Sequence, residues 1–207
     1  EAWLSYIFPL LRYHSRWNEL TAEDFQYLFK RNPVSHNGYL MRNDVKPVDT
    51  IPTAKPLADY QFSETSYAYL DKITALCKEN GIELLLIKSP SLYPHWYEQW
   101  NEQMEQYAAE NDLLYVNALK RLDEIGIDYD TDTDDGGLHM NLTGAEKMSR
   151  YYGRIFAEDY GLADRRHEAE TASIWAGKTS LYHQQEADQH EELATYGYLR
   201  AFRFIQE

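Results

Sequence analysis

The sequence predicts an α/β domain built on a parallel sheet with crossover helices. Three observations carry that expectation. Two short apolar runs, residues 82–87 and 113–116, are each bounded by turn-forming residues and are short enough to be strands. Amphipathic helical patterns precede, separate and follow them. Helix, strand, helix, strand, helix in that order suits parallel strands, which need a crossover between them.

The elements follow in order. Residues 2–20 read as a helical, aromatic-rich segment interrupted at Pro9, and Thr21 with Asp24 marks the start of a short helix reaching about Lys30. Residues 32–61 carry Pro33, Pro47, Pro52 and Pro56, with Asn37-Gly38, and read as a long irregular excursion. Ser63 is expected to cap a helix with Leu70, Ile73 and Cys77 inward, ended by Asn80-Gly81 in a left-handed turn. The run 82–87 then reads as a strand buried on both faces. A helix from about Pro94 to Glu110 carries Trp96, Trp100, Met104 and Tyr107 on one stripe. After the second strand, a short helix over 118–124 leads into an acidic loop. Residues 142–160 form a strong amphipathic pattern with Ala145, Met148, Tyr152, Ile155 and Phe156 inward. Residues 164–192 are polar and helix-prone, and residues 196–205 are strongly apolar. This divides the chain into an irregular segment (1–62), an α/β core (63–161) and a helical C-terminal appendage (162–207) that docks on the domain or on a partner. Two strands are few for a parallel sheet, so the sheet is expected to be incomplete or to have further strands in the first sixty or so residues.

Composition narrows the function. The net charge is −14, which repels a phosphate backbone and argues against nucleic-acid binding. The single cysteine, Cys77, cannot form an internal disulfide and reads as a buried, inert thiol. No apolar stretch is long enough to span a bilayer. With 18 Tyr and 5 Trp, rings are expected to fill a core or line a groove; Trp96 and Trp100 could form a carbohydrate platform, though helical spacing favours the core.

The chemically suggestive stretch is Asp132-Thr133-Asp134-Asp135-Gly136-Gly137-Leu138-His139, running into Asn141 and a helix. His139 is the candidate general base. A carboxylate on its other ring nitrogen would set the tautomer and stabilise the imidazolium. Asp135 is the best local partner, with Asp134 and Asp132 as alternatives, and the double glycine permits the tight turn that brings them together. Asn141 is expected to cap the following helix or support the loop. The alternation Asp128, Asp130, Asp132, Asp134 suggests a calcium loop, but the EF-hand positions for Gly and Glu hold Thr133 and His139. A solvated acidic turn is the expectation, with no metal and no cofactor; zinc lacks a second His or Cys at ligand spacing. His183 and His190 read as a polar helix surface.

The block Asp135-Gly136-Gly137-Leu138-His139-Met140-Asn141-Leu142-Thr143-Gly144-Ala145-Glu146-Lys147, with Tyr151-Tyr152-Gly153, resembles the last conserved block of SGNH (GDSL-like) hydrolases, in an envelope-associated bacterial branch. Leu84-Leu85-Leu86-Ile87-Lys88-Ser89-Pro90 and the segment 6–17 resemble it too, so the likeness spans roughly residues 6–161. The resemblance implies a three-layer flavodoxin-like fold and Ser–His–Asp acyl chemistry on an acylated carbohydrate or cell-surface polymer. His139 would be the base and Asp135 its orienter. It also implies the extracytoplasmic face of the bacterial envelope, with a membrane anchor, if any, outside this sequence. Two departures stand out. Three residues separate Asp135 from His139 where the family usually has two, and no Gly-Asp-Ser-like nucleophile block is present. Because the sequence begins at Glu1, it is expected to be the later part of such a domain, inactive by itself. Ser89 and Ser91, after the first strand, are the internal candidates for a nucleophile, although shaping a turn with Pro90 is the more ordinary role. A non-catalytic interaction module on a degenerate SGNH scaffold is the alternative.

Overall fold

The computed structural model describes residues 39–199, of which Leu40–Leu199 form one compact unit. The helices expected over 2–30 and most of the apolar end at 196–205 lie outside the described residues. In order, the elements are α1 (Glu64–Glu79), β1 (Leu85–Lys88), α2 (Glu98–Glu110), β2 (Leu114–Asn117), a 3-10 turn (Ala118–Lys120), α3 (Leu122–Ile125), α4 (Leu142–Glu158) and α5 (Ala169–Tyr196). The protein is therefore mixed α/β. Its two described strands pair in parallel, Leu85 opposite Leu114 through Lys88 opposite Asn117.

The helix before β1 and the crossover helix between β1 and β2 end in the same way. At the end of α1 the Ile82 N–H donates to the Cys77 carbonyl and Gly81 N–H to Lys78, with Gly81 left-handed at φ 64°. This is a Schellman closure, and it consumes the first residues of the expected strand. That is why β1 starts at Leu85 rather than at residue 82. At the end of α2, Asp112 takes the left-handed position at φ 57° and Leu113 N–H donates to Ala108. The start of α1 is capped as expected, by the Ser63 hydroxyl accepting from the Ser66 N–H.

The sheet has two unlike faces. Leu85 and Val116 lie against a cluster made by Ala118, Ile125 and Tyr151, with Met148, Tyr152 and Ile155 packed around it. On the opposite face, buried Asn101 of α2 accepts from Asn117 Nδ2 at 2.7 Å and from the Tyr115 hydroxyl at 3.3 Å. The strands are not buried on both faces as expected: Ile87 is 49% exposed. In α1 the half-buried stripe is Tyr67, Leu70, Thr74 and Cys77, while Ile73 faces solvent. Tyr67 and Thr74 take the inward positions because α1 meets α2 through polar contacts, Thr74 Oγ1 and Asp71 both bonding the Tyr107 hydroxyl. Cys77 is half-buried rather than enclosed. In α4, Leu142 and Tyr151 are the buried hydrophobic residues and Phe156 is exposed. The helix α2 begins at Glu98, so Trp96 precedes it; Trp96 and Trp100 pack against Phe62, with ring centroids 6.1 and 5.8 Å away.

The helix expected over 164–192 is α5. It is tied to the domain by Gln189, which donates to the Met41 carbonyl and accepts from the Asn43 N–H, and by the Tyr182 hydroxyl donating to Glu146. His183 and His190 are exposed on it, and His183 contacts Glu186. No described helix is long and apolar enough to cross a membrane.

The loop before α4 hangs on one buried carboxylate. Asp132 is fully buried; its Oδ2 accepts from the Asp128 N–H at 2.8 Å and from Lys147 Nζ at 2.6 Å, and its Oδ1 accepts from the Thr131 hydroxyl. Gly144 abuts the same residue so closely that a Cβ there would sit 2.5 Å from the Asp132 carbonyl oxygen. Lys147→Met is expected to cost about 3 kcal/mol, because it leaves a buried carboxylate without its cation. Gly144→Ala is expected to cost about 2 kcal/mol through overpacking against backbone. Urea unfolding of the two variants checks both; midpoints equal to the wild type would show that Asp132 does not organise this loop.

Candidate functional site

The loop from Asp128 to Asn141 is built from local carboxylate turns. Asp130 N–H donates to Asp128 Oδ1, and Thr133 and Met140 form an antiparallel bridge that closes residues 133–140 into a small excursion. Within it Gly136 and Gly137 adopt φ 82° and 103°, backbone that L side chains rarely take. Gly137 N–H donates to the Thr133 hydroxyl, and a Cβ on Gly137 would lie 2.9 Å from Leu92 and 3.0 Å from Val48. The double glycine therefore serves both the turn and the close approach of two neighbouring segments.

The turn delivers the imidazole to its acid. Asp135 Oδ2 lies 2.6 Å from His139 Nδ1, and Asp135 Oδ1 accepts the backbone N–H groups of Leu138 and His139 at 3.0 and 2.8 Å. With Nδ1 held by the carboxylate, Nε2 is the nitrogen left to act. The His139 side chain is 71% exposed. Burial by itself would lift the Asp135 carboxyl, but the N–H of His139, its ring and the N–H of Leu138 together hold it below the usual carboxylate range.

The alternative acids have other partners. Asp132 is committed to Lys147 and the loop backbone, so it is not available to His139. Asp134 faces Arg42, with Oδ2 at 3.7 Å from the guanidinium Nε, while its Oδ1 is buried with no hydrogen-bond partner. Burial and the neighbouring Asp135 charge raise its carboxyl above the usual range, and Arg42 only partly opposes this. Arg42 itself is gripped by both oxygens of Asp44.

The segment carrying Arg42 was an irregular stretch in sequence, yet it lines the acidic loop. Lys46 N–H donates to the Thr133 carbonyl and Val48 N–H to Tyr129, while Leu142 N–H donates to the Arg42 carbonyl. Asn141 does both things expected of it. Its Oδ1 caps α4 by accepting from Gly144 N–H, and its Nδ2 donates to the Thr131 and Asp44 carbonyls.

From the other side, the loop after β1 braces the site. Leu92 N–H donates to the Gly137 carbonyl at 2.8 Å, which sets the His139 loop at the carboxyl end of β1, where open α/β sheets place their sites. The Ser91 hydroxyl is buried and turns back on the Tyr93 backbone, as a turn-shaping serine does; Ser89 is exposed. Neither serine hydrogen-bonds His139 among the described residues. Lys88, which the sequence reading passed over, is 9% exposed and donates to the Ser89 and Ser91 carbonyls. Its signal was a lysine closing an apolar run.

Asp134, Asp135 and His139 offer ligand atoms within 4.8 Å of one another. Both oxygens of Asp135 already accept hydrogen bonds, and a calcium ion wants six to eight oxygens, so the set is better suited to orienting an imidazole than to holding a cation. Asp128, Asp130 and Asp132 do not join it.

A scan against models of protein families finds no match to this sequence, and neither curated proteins nor solved structures yield one.

The opposed carboxyl shifts set an order of protonation. A folded-state pKa below the ordinary value (about 3.9) means that the stability Asp135 contributes is complete above that pH and is lost as pH falls through the lowered value. Asp134 has the opposite sign and is expected to take its proton first on acidification. Carbon-detected titration of the two carboxyl groups checks this; Asp135 protonating before Asp134 would mean that the His139 pairing is not as described.

Proposed function

We propose that this chain carries the histidine–aspartate machinery of an SGNH-like ester hydrolase or O-acyltransferase on a three-layer flavodoxin-like fold. Its substrate class is an acylated carbohydrate or cell-surface polymer at the extracytoplasmic face of a bacterial envelope. The observation that carries the reading is the 2.6 Å contact between His139 Nδ1 and Asp135 Oδ2, which leaves Nε2 free at the carboxyl end of β1. That is the arrangement a hydroxyl nucleophile needs. The likeness of residues 135–147 to the last SGNH block supports the same roles.

In this reaction a serine Oγ, supplied from outside the 207 residues, attacks the ester carbonyl carbon. His139 Nε2 takes the hydroxyl proton as the C–O bond forms, and Asp135 stabilises the imidazolium. The same proton passes to the leaving alcohol as the ester bond breaks. Water, or an acceptor hydroxyl, then repeats the sequence on the acyl-enzyme.

Acetate release from an acetylated polysaccharide, by this chain supplied with a segment that carries the nucleophile, tests the reading. His139→Ala and Asp135→Asn are each expected to lower kcat by about 10⁴-fold. The 207-residue chain alone is expected not to turn over p-nitrophenyl acetate. Turnover by this chain that Ser89→Ala or Ser91→Ala abolishes would overturn the placement of the nucleophile. A second reading, an interaction module on a degenerate SGNH scaffold, is favoured by one observation: no hydroxyl bonds the exposed His139 ring among the described residues. No acetate release by the wild-type protein, or release left unchanged in both the His139 and Asp135 variants, would select it.

A further inference from the structure

Three features outside the Asp135–His139 pair invite a role. They are the apolar edge of β1 that no strand pairs among the described residues, the Asp134 carboxyl, and the amine of Lys88. Nothing shows what covers the first, and the second is an acidic neighbour of the pair already described. The third is different in kind. Lys88 is a buried cation with no carboxylate against it among the described residues; its acceptors there are two backbone carbonyls, Ser89 at 2.7 Å and Ser91 at 2.9 Å, and the Trp96 ring lies 5.5 Å away. Burying an ammonium without an acid is costly, and burial lowers the amine below the ordinary lysine value.

The carbonyl between those two is also taken, since the Tyr129 hydroxyl donates to Pro90. Burial pushes the Tyr129 phenol up to about 12, so it remains a donor throughout the working range. Three consecutive carbonyls are thus pinned from within the fold. The next residue, Leu92, spends its N–H on the Gly137 carbonyl and its side chain against the Gly137 backbone, two residues before His139.

We propose that Lys88 is a positioning residue for the Asp135–His139 pair, clamping the 89–91 loop so that Leu92 holds the Gly136-Gly137 turn closed. The inference rests on the reading of that pair as the acid–base centre, but its test does not need activity. The pairing keeps the ring proton on Nδ1, whereas a free imidazole favours Nε2–H. Imidazole ¹⁵N shifts at alkaline pH read the ratio of the two forms directly.

The wild-type chain is expected to show the Nδ1–H form. Lys88→Met is expected to move the ratio about tenfold toward Nε2–H, the worth of one hydrogen bond. Lys88→Arg, which keeps donors for the carbonyls, is expected to hold the wild-type ratio. A folded Lys88→Met chain with a lower urea midpoint and an unchanged ratio would assign Lys88 to stability alone and overturn the proposal, as would an arginine variant that behaves like methionine. Should the methionine variant not fold, Tyr129→Phe frees the Pro90 carbonyl and is expected to shift the ratio in the same direction; no shift overturns it. Wild-type protein in the Nε2–H form would remove the pair and the proposal together, whereas intact tautomers with no esterase activity once the nucleophile segment is supplied would remove only the proposed function.

Discussion

A single buried carboxylate, Asp132, holds the acidic loop in register with the helix that follows it. Its side chain ties the loop entry at Asp128 to Lys147 in α4, and its carbonyl accepts the Asn141 N–H. The absence of a side chain at Gly144 lets the first turn of α4 rest on the Asp132 backbone. With both ends of the excursion anchored to one point, residues 133–140 have little choice of path. A negative charge removed from water is tolerable only because three donors converge on it.

On that anchor the imidazole is oriented by contacts of very different range. The bond to Asp135 is local and would form in a short peptide some of the time. What makes it persistent is the pair of walls around the double glycine. Residues 42–48 run along one side through backbone hydrogen bonds, and residues 89–92 close the other. Each wall presses a side chain, Val48 or Leu92, into the space where Gly137 lacks a Cβ. Ordering the loop costs conformational entropy, and these walls offset it before any substrate arrives.

The charges around His139 divide labour. Asp132 is paired with Lys147, Asp44 with Arg42, and Asp135 with the His139 ring and the N–H groups of Leu138 and His139. Of these acids Asp134 is the one with a buried, unpartnered oxygen, and its other oxygen lies 3.7 Å from the Arg42 Nε that donates to Asp44. Four acids around one loop therefore have four different environments. This is why the alternating Asp residues do not converge on one point. Their side chains diverge as the loop turns, and only Asp134 and Asp135 come near the histidine.

Much that was legible in the sequence was local. Ser63 and Asn141 as helix caps, Gly81 as a helix stop and Asp135 beside His139 all follow from contacts within a few residues, where chain geometry leaves few options. The parallel α/β order of the core was legible for the same reason. Tertiary structure alone decided which faces were buried, as Ile73 and Phe156 turning outward and Tyr151 turning inward show. It also decided that Arg42 would meet Asp134, that Asn141 would reach Asp44 across 97 positions of chain, and that Lys88 would stand under the loop that braces Gly137. Those contacts depend on how separate segments stack on a common sheet, and no spacing within any one of them encodes that.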